Sequence, residues 1–267
     1  MIGIFDSGVG GMSVVKEIIK VLPEYQIVYF GDTARLPYGT KGANFVKEYS
    51  EKITEWLLTE KNAKIIVIAC NTSSAWASDS LKKKFKHVKI FEMITPVIPD
   101  ILSVTKNKRI GIIGTPGTIK SNAYQIKLLK ADSSIKIFSA SCPLLVPLVE
   151  EGLTDDKITF QIIKRYIKPL KEKGIDTLVL GCTHYPLLKK AIKKTVGKKV
   201  KIINPAESLS QEIKKYLNEN PEIKGKIKKG REHKFYFSDE PYNFKKISSL
   251  CFNKKIHKEV KDPFANE

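Results

Sequence analysis

The sequence predicts an α/β protein made of two pseudo-symmetric, doubly wound domains with mostly parallel sheets and an active site in the cleft between them. Three observations carry that expectation. Short apolar runs such as residues 65–69 and 177–180, bounded by polar residues, read as strands buried on both faces. Amphipathic helical patterns alternate with these runs, as parallel crossovers require. The third observation is a repeat. I-G-I-I-G-T-P-G-T-I-K-S at residues 110–121 aligns with I-G-I-F-D-S-G-V-G-G-M-S at residues 2–13, an offset of 108. V-L-G-C-T-H-Y-P sets Cys182 over Cys70 of V-I-A-C-N-T-S-S at an offset of 112. I-I-N-P-A-E sets Pro205 over Pro96 of M-I-T-P-V-I at an offset of 109. Three matches in order, at a period far beyond the roughly 20–50 residues of a solenoid, indicate a duplication. The expected domains are 1–95 with 206–267, and 96–205.

Taken in order, residues 2–5 form a short apolar strand, and D-S-G-V-G-G turns the chain into a helix over about 12–22, ended by Pro23. This turn is neither G-x-G-x-x-G nor a P-loop, since no G-K-[ST] follows. Its glycines permit close approach by a ligand, and a helix amino terminus favours an anion. Asp6 suits proton chemistry or an ammonium group better than a phosphate. Strand 26–30 leads to the loop 31–42, which carries Arg35, Tyr38 and three glycines and is longer than a minimal connection. A helix over 44–61 sets Phe45, Tyr49, Ile53, Trp56 and Leu57 on one face. Strand 65–69 follows, then a helix to about 85 and a strand over 89–94. Thr95, Pro96 and Val97 read as a connection, with Pro99 ending any regular continuation.

The pattern restarts with strand 109–114. Strand 135–140 leads to Cys142, Pro143 and the segment L-L-V-P-L-V-E-E-G. A helix over 154–173 precedes strand 177–180. Leu187, Leu188, Ala191, Ile192, Thr195 and Val196 fall at helical spacing, with the lysines of 189–201 on the opposite side. The lysine-rich remainder has a helical pattern at 208–217 and a strand-like H-K-F-Y-F-S near Phe235, expected to return and complete the first domain.

Composition narrows the function classes. The 267 residues are 42% hydrophobic and 28% charged, with no apolar run near the ~20 residues of a membrane helix. The amino terminus has no basic region before its first strand, so no secretory signal and a cytoplasmic location are expected. Cys70, Cys142, Cys182 and Cys251 are expected to be reduced, and none forms a C-x-x-C pair. A formal charge of +19 invites a nucleic-acid reading, but the lysines are spread along the chain and no nucleic-acid motif accompanies them. No nucleic acid and no membrane are therefore required as partners.

Cys70 and Cys182 end equivalent strands, where ligands of open α/β sheets bind. Asn71 and Thr72 follow the first, Thr183 and His184 the second. Two such units facing one another put a thiol on each wall of one cleft. Inversion of a stereocentre by proton transfer needs that arrangement: one base removes a proton from one face and one acid returns it to the other. Asp6, Glu150 and His184 are placed to accept or relay protons. A Cys182/His184 nucleophile for acyl transfer is the rival chemistry, but it leaves Cys70 without a role. No compact four-ligand set supports a metal site. Cys142 and Cys251 lack such neighbours and read as structural.

Taken as a set, D-S-G-V-G-G, G-D-T-A-R-L-P-Y-G-T-K, A-C-N-T, C-P-L-L-V-P-L-V-E, G-C-T-H-Y-P and N-P-A-E resemble the glutamate racemases, over residues 2 to about 217. The resemblance implies a cofactor-independent interconversion of L- and D-glutamate that supplies D-glutamate for peptidoglycan, with no metal. It implies Cys70 as the base for D-glutamate and Cys182 as the base for L-glutamate, assisted by Asp6, Glu150 and His184. Ser7, Tyr38, Gly39, Asn71, Thr72 and Thr183 would hold the substrate together with Asp6 and His184, and Thr115 and Thr118 are lesser candidates. Glu150 is favoured over its neighbour Glu151 from the V-P-L-V-E pattern. A homodimer is expected, whereas activation through an amino-terminal extension is not, because the chain starts at its first strand. Aspartate is the alternative substrate within the superfamily, and a basic nucleic-acid-associated binding protein is the alternative from another class.

Overall fold

The structure, a computed structural model, describes residues 1–252 and 255–265. Residues 253–254 and 266–267, which belong to the expected first domain, lie outside the described residues. The strands are β1 (Ile2–Asp6), β2 (Ile27–Gly31), β3 (Ile65–Ile68), β4 (Lys89–Glu92) and β5 (Arg109–Gly114). They continue as β6 (Lys136–Ser141), β7 (Thr177–Gly181), β8 (Lys201–Ile203), β9 (Lys234–Phe237) and β10 (Glu259–Val260). The helices are α1 (Met12–Val21), α2 (Ala43–Thr59), α3 (Asn71–Lys84), α4 (Val97–Val104), α5 (Pro116–Lys120) and α6 (Ala123–Ala131). They are followed by α7 (Leu145–Glu150), α8 (Lys157–Glu172), α9 (Lys189–Val196), α10 (Pro205–Glu219), α11 (Pro221–Lys226) and α12 (Phe244–Cys251).

Two parallel sheets result, a six-stranded one in the order β10-β9-β2-β1-β3-β4 and a four-stranded one in the order β6-β5-β7-β8. The order β2-β1-β3-β4 recurs as β6-β5-β7-β8, so the sequence repeat is a repeat of topology. β1, β3 and β7 are buried along their whole length, which is why they read as continuous apolar runs. β6 is an edge strand and only half buried. α1 and α10 pack on each other. Through Val14, Ile18, Leu209 and Ile213 they carry one apolar cluster from Ile4 of the first sheet to Leu180 of the second.

The carboxyl-terminal segment adds β9 beside β2, with Gly31 opposite Phe237, and β10 beside β9. Phe237 is fully buried, its ring 5.8 Å from that of Tyr29 and 5.3 Å from that of Phe244. A stretch with no recognisable motif thus covers what would be an exposed edge of the larger sheet.

Several elements differ from expectation. The segment after Thr95 is helix α4, with Pro96 at its N-cap and Pro99 in its first turn. Backbone N–H groups of a first turn have no intrahelical acceptor, so a proline there forfeits nothing and does not end the helix. The lysine run of 189–201 divides at Gly197, which adopts φ +88°; α9 ends there and Lys201 begins β8. α8 starts at Lys157 rather than 154, because the Asp156 side chain accepts from the Ile158 N–H at 2.7 Å and caps it.

Phe237→Ala removes a fully buried ring from the junction of β9 and β2, and should destabilise the protein by about 3–5 kcal/mol. Tyr242→Ala, at a side chain 70% exposed, should change stability little. Denaturant unfolding of both variants measures the difference, and equal effects would contradict a structural role for the carboxyl-terminal strands.

Candidate active site

The carboxyl ends of β3 and β7 deliver Cys70 and Cys182 to one small cavity of about 30 Å³. Ser7, Tyr38, Gly39, Asn71, Thr72, Thr183 and His184 line it as well, together with Pro37, Thr115 and Val146. Cys70 is the N-cap of α3, and its Sγ accepts from the Ser73 N–H at 3.5 Å and lies 3.9 Å from Ser7 Oγ. Burial, reinforced by the charge of Asp6, pushes the Cys70 thiol up to about 11 against the pull of the Ser73 N–H.

Cys182 has different company. Its Sγ lies 3.8 Å from His184 Nδ1, and His184 Nε2 lies 3.0 Å from Glu150 Oε1. Burial disfavours the imidazolium, but the hydrogen bonds to Cys182 and Glu150 outweigh it and push His184 up to about 10. The adjacent Glu151 is exposed, with its carbonyl accepting from Lys246 Nζ, so Glu150 is the carboxylate that meets His184. The helical turn of α7 decides between them, and Asn243 Nδ2 donates to the Glu150 carbonyl at 3.0 Å.

Asp6 is fully buried at the end of β1. Its Oδ2 accepts from the N–H groups of Gly8 and Gly11, each at 3.1 Å, and its Oδ1 accepts from Thr183 Oγ1 at 3.4 Å. Burial raises its pKa against the His184 charge and the two amides. The D-S-G-V-G-G turn is glycine-rich for a steric reason. A Cβ on Gly10 would come within 2.4 Å of the His184 ring and 2.5 Å of Thr183 Oγ1. Backbone of the first repeat therefore lies directly against Thr183 and His184 of the second.

The loop 31–42 is held from outside. Asp32, fully buried, accepts from Tyr38 Oη at 2.6 Å, Ser238 Oγ at 2.8 Å and Arg35 Nη1 at 2.9 Å. Arg35 also pairs with Asp262 at 2.9 Å, so the carboxyl-terminal segment helps to place Tyr38 and Gly39. The peptide bond Leu36–Pro37 is cis. Across the cavity, Thr72 Oγ1 is 2.9 Å from Thr115 Oγ1 and 3.2 Å from Thr118 Oγ1, joining the start of α3 to the start of α5. Cys142 and Cys251 are buried thiols, and burial pushes both up to about 12.

The acid–base and substrate-binding candidates expected from sequence therefore gather at or just behind this cavity. Val146 and Pro37 were not foreseen. Val146 belongs to the short helix α7, whose L-V-P-L-V-E pattern gave no periodicity long enough to show which side it turns inward.

The family of Asp/Glu/hydantoin racemases matches residues 3–213 of the chain. A glutamate racemase of Geobacter metallireducens is 41% identical over 255 residues, covering 96% of this chain and 93% of that protein. The crystal structure of a glutamate racemase isoform from Bacillus anthracis superposes with a TM-score of 0.90 at 36% identity, over 98% of this chain and 97% of that one. The glutamate racemase of Francisella tularensis, solved in complex with D-glutamate, gives 0.89 at 35% identity, over 97% and 96%.

His184 leads to a pH prediction. A histidine whose pKa rises on folding, here from 6.5 to about 10, contributes stability that is complete below pH 6.5 and lost as pH rises through about 10. Between those limits the wild type should lose more stability than His184→Gln. Melting temperatures across the range check this, and parallel curves would contradict it.

Proposed function

The chain belongs to the Asp/Glu/hydantoin racemase family, and on that premise we propose that it is a cofactor-independent glutamate racemase using two cysteines as its acid and base. The observation that carries the reading is the single cavity lined by Cys70 and Cys182, each at the end of an equivalent strand of a repeated sheet. A planar carbanion formed between two thiols can be reprotonated on the face opposite to the one it lost its proton from. Neither an acyl-transfer reading nor a single-base reading uses both groups.

In the L-to-D direction, the Cys182 thiolate removes the α-proton while the Cys70 thiol donates one to the other face. The environments favour this division. Cys70, held up to about 11, keeps its proton at neutral pH and is ready as the acid. Cys182 has the His184 ring nitrogen 3.8 Å from its Sγ, and Glu150 backs that ring, so a proton partner stands beside the thiol that acts as base. In the reverse direction the roles exchange, and Asp6 and the His184–Glu150 pair assist the respective proton movements. Ser7, Tyr38, Gly39, Asn71, Thr72 and Thr183 hold the carboxylates and the ammonium group, with Asp6 near the latter and Thr115 and Thr118 beside Thr72.

The cavity of about 30 Å³ has room for a water but not for an amino acid. Its walls must part to admit glutamate and close again to exclude solvent from the carbanion. The proposed product, D-glutamate, would feed peptidoglycan synthesis. The domains that close on each other are proposed to be 1–95 with 206–267, and 96–205.

Polarimetric assay of purified protein with L-glutamate, without added cofactor, should show loss of optical activity, and L-aspartate should keep its signal. Cys70→Ser and Cys182→Ser should each slow the reaction about 10²–10⁴-fold, the range of a lost acid–base group. Turnover of aspartate in place of glutamate would overturn the substrate assignment. Full turnover by either variant would overturn the two-cysteine mechanism.

A further inference from the structure

We propose that Tyr124 is a positioning residue that fixes the Asn71 side-chain amide with its nitrogen available to a substrate carboxylate. The inference rests on the reading of Asn71 as a substrate-binding residue. Tyr124 lies in the first turn of α6 and is 3% exposed. Its ring packs within the core of the second sheet, and a Cβ on Gly181, just before Cys182, would lie 3.5 Å from it. From there its hydroxyl reaches α3 and donates to Asn71 Oδ1 at 2.7 Å.

That bond decides what Asn71 can offer. The two ends of a carboxamide are nearly equal in shape, so only hydrogen bonding selects which end faces a ligand. With Oδ1 engaged by the phenol, the amide presents two N–H donors. Asn71 Nδ2 is buried and has no partner, and among the described residues Asn71 is the one side chain with such an orphan atom that also lines the cavity. A buried donor without an acceptor is costly, and native proteins retain few. An arriving carboxylate supplies the missing acceptor. Burial, together with the nearby charges of Glu92 and Cys182, holds the Tyr124 hydroxyl well above its ordinary pKa, so it keeps the proton it donates to Asn71 Oδ1.

Without the phenolic proton the amide is free to rotate and present its oxygen, which repels a carboxylate. Tyr124→Phe keeps the ring and its packing. It should raise KM for L-glutamate roughly tenfold, the size of one hydrogen bond to a charged group, with kcat changed by less than about twofold. Asn71→Ala, measured alongside, should raise KM at least as much, and the double variant should be no worse than Asn71→Ala alone. An unchanged KM in Tyr124→Phe, or additive effects in the double variant, would overturn the role of Tyr124 while leaving Asn71 in place. An unchanged KM in Asn71→Ala would overturn the reading of Asn71 on which the inference rests. If Tyr124→Phe does not fold, Asn71→Asp carries the test. It presents an acceptor in place of the donor, so its KM should exceed that of Asn71→Ala, and a KM at or below that value would contradict the proposal.

Discussion

Asp6 is the constraint on which the rest of the site depends. A carboxylate with no exposure to water is costly to keep unless its oxygens are satisfied, and here Gly8, Gly11 and Thr183 satisfy them. Gly8 and Gly11 bend the first turn around the carboxylate, while Thr183 belongs to the other sheet's strand end. Ser13 adds a second tie, its hydroxyl donating to the Thr183 carbonyl at 2.7 Å. With Gly10 lying against His184, these contacts tie the end of β1 to the end of β7 while the cavity is closed. A side chain at position 10 or a lost acceptor at position 6 disturbs both repeats at once.

The two halves repeat one topology but not one chemistry. Cys70 caps a fourteen-residue helix and has Ser7 and Ser73 as neighbours, whereas Cys182 precedes a short turn and has the His184–Glu150 pair. Under the two-base reading this asymmetry has a use. The thiol beside the His184–Glu150 pair has a proton-carrying partner, whereas the thiol pushed up by burial and the charge of Asp6 keeps its proton.

Much of the fold was legible because β1, β3 and β7 are buried on both faces and so leave unbroken apolar runs. The repeat was legible because glycine turns and strand-end cysteines tolerate little change in spacing. Pro99 misled because a proline's effect depends on its place within the helix, which sequence alone did not locate. The covering of the β2 edge by β9 was visible only as an aromatic run, since nothing in K-F-Y-F names its neighbour. Position 150 could be preferred to 151 from pattern, but the helical phase of α7 is what brings its carboxylate to His184. The Tyr124–Asn71 bond spans 53 residues and leaves no local signal at all.

The most direct test of two thiols acting from opposite faces is the fate of hydrogen in the first few per cent of reaction. Protiated L-glutamate is incubated with the enzyme in deuterium oxide, and both enantiomers are separated and analysed by mass. Two monoprotic bases predict D-glutamate that carries deuterium at the α carbon from the first turnover, while the remaining L-glutamate keeps its protium. Substrate-derived protium in the D-glutamate product, or deuterium in L-glutamate ahead of racemisation, would contradict the account.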